Sequence, residues 1–274
     1  MNDADYMLRC LELAEKGKFY TAPNPRVGCV IVSQNKQIIG EGYHERFGGA
    51  HAEVNAMQSV RNTDDLQNST LYVNLEPCSH HGKTPPCTSL IIEKYIPRVV
   101  IGMKDPHKKV MGDGIQRLMD VGIDVKVGVE EKACREINKR FICFHETGRP
   151  YVILKWAESN DGLIGKLNER TAITSEQTNK LIHQWRAEEQ AILIGKNTAV
   201  IDNPSLTVRY VEGRNPLRIV LGTEASLPKS LNLLTDGNPT YFLPLHNDSG
   251  FDELTTFCQT HQIISILVEG GAFT

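Results

Sequence analysis

The sequence predicts two successive α/β domains. Three observations predict them. The chain has 274 residues, too many for one ordinary domain and suited to two. Short apolar runs alternate with helical stretches along its length, the pattern of layered α/β folds. That alternation breaks and restarts at "FHETGRPYV" (144–152), where Gly148 and Pro150 follow a helical run. The two domains are therefore placed at residues 1–146 and 147–274.

Taken in order, "ADYMLRCLELAEKG" (4–17) sets Tyr6, Leu8, Leu11, Leu13 and Ala14 near helical spacing, and Gly17 ends the pattern. "VGCVIVS" (27–33) and "QIIGEGYH" (37–44) read as strands joined in a hairpin. "HAEVNAMQSV" (51–60) is a helix by propensity and "STLYVNL" (69–75) a strand. A helix at 88–95, a strand at 98–103, a helix at 113–122 and a strand at 124–129 complete a mixed sheet. Beyond the boundary, "YVILKWA" (151–157) starts a new strand. Residues 175–189 form a helix with Ser175 as N-cap. The segments 190–195, 217–222, 239–244 and 263–271 read as buried strands. The chain shows no internal repeat. It stops at "VEGGAFT", where a strand running into Gly-Gly ordinarily leads to a helix, so the second domain is expected to be C-terminally incomplete.

Bulk properties narrow the function. Hydrophobic residues make up 40%, enough for two cores, and the net charge of −3 gives no general basis for holding nucleic acid. No apolar run reaches bilayer length, and "MNDADYMLRC" lacks the basic and apolar regions of a signal peptide. Seven cysteines are present. Cys10, Cys29, Cys134, Cys143 and Cys258 read as reduced, buried thiols of a cytoplasmic protein. Cys78 and Cys87 stand apart, in a polar loop rich in proline.

That loop and "GGAHAEVNA" (48–56) carry the chemistry. A hydrolytic Zn²⁺ takes three protein ligands and keeps one position open. His51 offers an imidazole, and Cys78 and Cys87 offer thiolates. Cys87 precedes a predicted helix, whose N-terminus favours the thiolate. Glu53 reaches the same cavity only if its helix begins close to His51, because positions i and i+2 diverge within a regular helix. Placed so, it takes a proton from water and hands it to a departing amine. H-x-E followed by P-C is the signature of zinc deaminases. Here eight residues, "SHHGKTPP", separate the two cysteines instead of two. The alternatives are a closed structural site completed by His80 or His81, with Glu53 a solvated carboxylate, and a Cys78–Cys87 disulfide.

With that insert, "PCSHHGKTPPC" (77–87), "GGAHAEVNA" and "APNPRVGCVIV" (22–32) closely resemble the deaminase half of the bifunctional riboflavin-biosynthesis deaminase/reductase family. "ILKWAESNDGLIG" (153–165), "AILIGKNTAVIDNPSLTVR" (191–209) and "ILVEGG" (266–271) resemble its reductase half, in the same order. The resemblance implies a cytidine-deaminase-like three-layer α/β/α domain followed by a dihydrofolate-reductase-like α/β domain. It implies a zinc hydrolase acting on a diaminopyrimidine that carries a ribosylamino 5′-phosphate. An NADPH-dependent oxidoreductase then turns ribosyl into ribityl. It also implies a homo-oligomer, dimer or tetramer.

By the same resemblance Asn24 reads the pyrimidine edge, and His44, His80 and Lys83 meet sugar and phosphate. A lysine and a histidine neutralise phosphate without making the chain basic. In the second domain no G-x-G-x-x-G follows a strand, so NADPH is inferred from the family segments alone. Thr198, Asp202, Gly270 and Gly271 match cofactor positions, with Ala157 and Thr223 bordering them. Arg186, Leu206, Arg209 and Glu269 match substrate positions, where guanidinium groups suit a sugar phosphate. One segment departs. Many members carry Ser-x-Trp before an "IT" pair, and here "RTAIT" (170–174) puts Arg170 and Ala172 there. Either Trp156 supplies the lost aromatic contact or it is plain core. Two other functions are open to the same residues. One is a deaminase of another nucleobase, including one in tRNA, with an inactive second domain. The other is a zinc-stabilised binding module.

Overall fold

The structure, a computed structural model, describes residues 1–80, 85–107, 111–166, 169, 171–244 and 250–271. It divides into two compact units, Met1–Glu146 and Thr147–Thr274.

The first unit is built on five strands, β1 (Gly28–Ser33), β2 (Ile38–Tyr43), β3 (Ser69–Leu75), β4 (Arg98–Met103) and β5 (Asp124–Val127), in the order β2-β1-β3-β4-β5. The β1–β2 hairpin and the β1–β3 pair are antiparallel, while β3–β4 and β4–β5 run parallel, so the sheet is mixed. Alternate side chains serve opposite faces. Cys29, Ile31, Leu71, Val73, Val99 and Ile101 pack under α2 (Ala52–Gln58), α3 (Cys87–Glu93) and α4 (Asp113–Asp120). Val30, Val32, Tyr72, Val100 and Met103 face α1 (Asp3–Glu15), α5 (Glu131–Ile137) and α6 (Lys139–Thr147). Three layers follow from this two-sided burial.

Local chemistry sets the helix ends. α1 opens with a capping box, because the Asn2 side chain accepts from the Asp5 N–H while Asp5 accepts from the Asn2 N–H. Gly28 allows α1 to lie on β1, since a Cβ there would strike the Cys10 carbonyl. Gly42 does the same beneath α2, where a Cβ would strike the Ala56 nitrogen.

The second unit has an all-parallel sheet of β6 (Tyr151–Leu154), β7 (Ala191–Gly195), β8 (Leu217–Leu221), β9 (Thr240–Leu243) and β10 (Ser265–Val268), ordered β6-β10-β7-β8-β9. α7 (Glu176–Glu188), α8 (Lys196–Asp202) and α9 (Asn232–Thr235) cover one face, and α10 (Gly250–His261) the other. Ser175 caps α7, accepting from the Thr178 N–H at 3.2 Å. β6 stops at Leu154, short of the expected strand, because Lys155 onward lines a cavity. β9 is half-buried rather than buried, as expected of an edge strand. Cys143 is only partly buried, whereas Cys10, Cys29, Cys134 and Cys258 are buried, and all seven cysteines are free.

Beneath β8 the Arg218 guanidinium is buried and holds Asp236 in two hydrogen bonds of 2.7 and 2.8 Å, with further bonds to the Ser205 and Leu233 carbonyls. That guanidinium pulls the Asp236 carboxyl down to about 2 from its ordinary 3.8. A lowered carboxyl stabilises the fold above the unfolded value and gives that stability up as pH falls through the folded one, here between about pH 5 and 2. Arg218→Met is expected to cost about 3 kcal/mol and to flatten this acid slope, checked by urea unfolding at pH 7 and pH 3. Among the described residues no helix is long and apolar enough to cross a membrane.

Candidate functional site

At the carboxyl ends of β3 and β4 opens a cavity of about 400 Å³, lined by Asn24, His44, His51, Glu53, Cys78 and His80 among others. α2 begins at Ala52 with His51 as its N-cap in extended conformation. Glu53 therefore lies in the first turn, and both side chains face one space. The His51 Nδ1 stands 3.3 Å from the Cys87 Sγ and 3.6 Å from the Cys78 Sγ. The ligand atoms of His51, Cys78 and Cys87 all lie within 4.8 Å of one another, and among the described residues no other histidine, cysteine or carboxylate joins them. All seven cysteines being free, Cys78 and Cys87 form no disulfide.

α3 starts one residue earlier than the sequence suggested. Cys87 is its first residue and Pro86 its N-cap. The backbone N–H of Cys87 donates to the Cys78 Sγ at 3.3 Å, so the helix end favours charge on Cys78. The Cys78 thiol is accordingly shifted down, first by its hydrogen bond with the Cys87 thiol and then by His51 and that N–H. The Cys87 thiol is shifted up by the same pairing and by burial. His51 is raised by its bond to Cys78. The Glu53 carboxyl is 4% exposed and raised by burial and by Cys78, so proton transfer there lies closer to neutral pH than at a surface glutamate.

Asn24 is held by two asparagines acting on the next turn of chain. Asn74 accepts from the Gly28 N–H at 2.8 Å, Asn138 accepts from the Arg26 N–H at 2.8 Å, and both amides donate to the Arg26 carbonyl. His44 is buried, with its Nδ1 2.9 Å from the Ala50 carbonyl and its Nε2 3.0 Å from the Asn24 Nδ2. Burial lowers its pKa, so it is a neutral imidazole that donates to Ala50 and accepts from Asn24. His80 is exposed at the cavity mouth, and Lys83 and His81 lie outside the described residues.

Asp105, His107, Phe141 and His145 form the opposite wall and escaped the sequence reading. Asp105 follows the end of β4, where α/β sheets place ligand crevices, and that position was the available signal. Glu76 fixes this wall. Its carboxylate accepts from the backbone N–H groups of Asp105, Gly112, Gly114 and Ile115 at 2.9–3.3 Å.

The second unit has its own cavity, about 350 Å³, at the ends of β6, β7 and β10. Ala157, Thr198, Asp202, Gly270 and Gly271 line it together with Arg186, Leu206 and Glu269. A Cβ on Gly271 would come no nearer than 4.0 Å to its neighbour, the Thr198 Oγ1, which leaves room beside the backbone. Arg186 pairs with Glu269 through Nε–Oε1 at 2.7 Å and Nη2–Oε2 at 2.8 Å, both side chains nearly buried. Arg209 and Thr223 are outside the cavity's lining. Arg209 is exposed and donates to the Thr207 Oγ1, and Thr223 precedes a short 3₁₀ turn, Glu224–Ser226. Trp156 is 62% exposed on the cavity wall with Ala172, so it is not plain core, and Arg170 lies outside the described residues. Lys155, Thr174 and Asn179 also line this cavity and were not anticipated.

Two comparisons of sequence bear on these geometries. The cytidine and deoxycytidylate deaminase zinc-binding region matches residues 1–103, and the RibD C-terminal domain matches residues 150–274. The riboflavin biosynthesis protein RibD of Escherichia coli is 40% identical over 91% of this chain and 71% of its own length. That of Aquifex aeolicus is 44% identical over 87% and 67%. The chain belongs to the RibD family.

Solved RibD structures agree in fold across both units. Acinetobacter baumannii RibD superposes with a TM-score of 0.91 at 33% identity, covering 99% of this chain and 81% of the other. A Thermotoga maritima diaminohydroxyphosphoribosylaminopyrimidine deaminase/5-amino-6-(5-phosphoribosylamino)uracil reductase superposes at 0.88 with 37% identity, covering 98% and 80%. The chain spans about two thirds of the length of the curated RibD relatives it matches, from 61% for that of Synechocystis to 78% for that of Chlamydia trachomatis. The first unit carries the match to the deaminase zinc-binding region, and its one imidazole and two thiols suit zinc's borderline softness.

Proposed function

We propose that this chain performs two consecutive reactions of riboflavin biosynthesis, with deamination in Met1–Glu146 and reduction in Thr147–Thr274. The substrate would be 2,5-diamino-6-(5-phosphoribosylamino)pyrimidin-4-one. The observation that carries this reading is the trio of His51, Cys78 and Cys87, joined by no fourth donor among the described residues, with the buried Glu53 in the same cavity. A deaminase of another nucleobase with an inactive second unit is not favoured, because family segments run through both units.

Bound zinc supplies the acidity that makes water nucleophilic near neutral pH. Glu53 takes the proton from that water and delivers it to the departing amine. Asn24, whose amide is aimed by His44, presents its polar edge to the pyrimidine. His80 and Lys83 meet the ribose phosphate. In the reductase, Ala157, Thr198, Asp202, Gly270 and Gly271 would hold NADPH, with Thr223 nearby, and the bound cofactor would supply the hydride. Arg186 and Glu269 brace each other at the sugar end, Leu206 lines it, and the exposed Arg209 is free to swing onto phosphate. The family resemblance supports a homo-oligomer, and the scattered cysteines support a cytoplasmic setting.

The test is to supply the phosphorylated diaminopyrimidine and follow ammonia release and NADPH oxidation separately. Both should occur in the wild-type chain. Arg209→Ala should raise the KM of the reduction by roughly tenfold to a hundredfold and leave ammonia release unchanged. Neither signal appearing with the zinc-loaded chain would sink the reading.

A further inference from the structure

Leu206 lines the second unit's cavity and opens a stretch, Leu206 to Arg209, with no regular secondary structure. Leu206 is buried and adopts φ +53, a left-handed conformation uncommon for a branched side chain. Something outside the stretch must hold it there, and three side chains do. Asn215 Oδ1 accepts from the Val208 N–H at 2.8 Å, and the Arg186 Nη1 donates to the Thr207 carbonyl at 3.4 Å. The third is His183, whose Nδ1 accepts from the Arg209 N–H at 3.1 Å.

His183 is 4% exposed and lies three residues before Arg186 on α7, so both project from the same face of the helix. The Tyr210 ring stands edge-on to its imidazole, with centroids 4.7 Å apart. The family segments, the metal site and the cofactor reading leave this buried histidine without a role. From this geometry we infer that His183 is the positioning residue of the reductase: its unprotonated Nδ1 clamps the Arg209 backbone and so sets the anion-contacting stretch against the cavity. The inference rests on the reading of this cavity as the site that takes a phosphorylated sugar.

The clamp needs a neutral ring, because an imidazolium has no lone pair to accept the N–H. The groups facing the ring are Arg186 on its own helix, Arg209 and Tyr210 on the clamped stretch, and Glu269 beyond the end of β10. Burial first, then Arg186 and Arg209, push its pKa down to about 4 against the opposing pull of Glu269 and the Thr207 carbonyl. The ring is thus neutral, with its proton on Nε2, throughout the neutral range.

Asparagine places Oδ1 where histidine places Nδ1, so His183→Asn keeps the acceptor and His183→Leu removes it. His183→Leu should raise the reductase KM for the phosphorylated substrate by roughly tenfold or more. The NADPH KM and ammonia release should stay within about twofold, and His183→Asn should recover most of the loss. An unchanged substrate KM in His183→Leu, or an Asn variant as impaired as Leu, overturns the clamp. Two readouts need neither activity nor the Leu variant. Nitrogen-15 NMR of the wild type should show the His183 Nε2–H tautomer down to pH 5, and the Arg209 amide should be protected from hydrogen exchange. An imidazolium at pH 6, or an unprotected amide, overturns the inference even if His183→Leu fails to fold. A wild type that oxidises no NADPH sinks the reductase reading instead, while the NMR result still decides the clamp.

Discussion

Glu53→Gln is expected to slow ammonia release by roughly a thousandfold, while the zinc content stays unchanged and so does the rate of NADPH oxidation when the already deaminated pyrimidine is supplied. The side chain lies within the first turn of α2 and is 4% exposed, so glutamine of nearly equal volume fits the same space. What it loses is a group that can take a proton and return it, and positioned acid–base groups of this kind contribute about 10²–10⁴ in rate. The three side chains grouped to hold a metal are His51, Cys78 and Cys87, and Glu53 is not among them. Zinc assayed by atomic absorption should therefore remain at the wild-type ratio. Ammonia release within tenfold of wild type would remove Glu53 from the proton path. Loss of zinc would instead make it part of the metal's support.

Arg186→Leu should abolish reduction and also destabilise the second unit by about 3–5 kcal/mol. The bidentate pair with Glu269 is close to fully buried, with side-chain exposures of 12% and 8%. Removing the guanidinium strands a carboxylate in a poorly solvated wall and frees the Thr207 carbonyl as well. The double variant Arg186→Leu with Glu269→Leu should recover much of the stability and none of the reduction, because it removes the stranded charge without restoring substrate contacts. Unfolding monitored by tryptophan fluorescence, beside NADPH oxidation, checks both halves. Equal instability in the single and double variants would show that the cost lies in packing.

The regular elements were legible in the sequence because two-sided burial leaves a strong imprint. Cys29 to Val32 and Val99 to Ile101 read as continuous apolar runs, and those are the strands that carry helices on both faces. The metal trio was legible because imidazole and thiol donors in a polar loop have few other uses. The far wall of the deaminase cavity was not. Asp105 and His107 sit in an irregular stretch whose path is dictated by Glu76, a residue distant in sequence, and no local periodicity reports such a tether. The segments over α8, α9 and α10 escaped for a related reason. α8 and α9 are too short to develop a clear repeat, and α10 opens at Gly250, a weak helix former. The exposure of Trp156 could not be read from "LKWAES", since β6 ends at Leu154 and Trp156 stands beyond it on the cavity wall.

Glu76 spends one carboxylate on four amides, and this divides form from recognition along the Asp105 wall. The main chain there is anchored from outside the wall, apart from one bond that the Asp105 carboxylate accepts from the His107 N–H at 2.8 Å. Exchanging His107 should therefore alter which molecules fit while leaving the path of the chain intact. A designer seeking to retune the first reaction has, at that position, a surface that can be rewritten without rebuilding its frame.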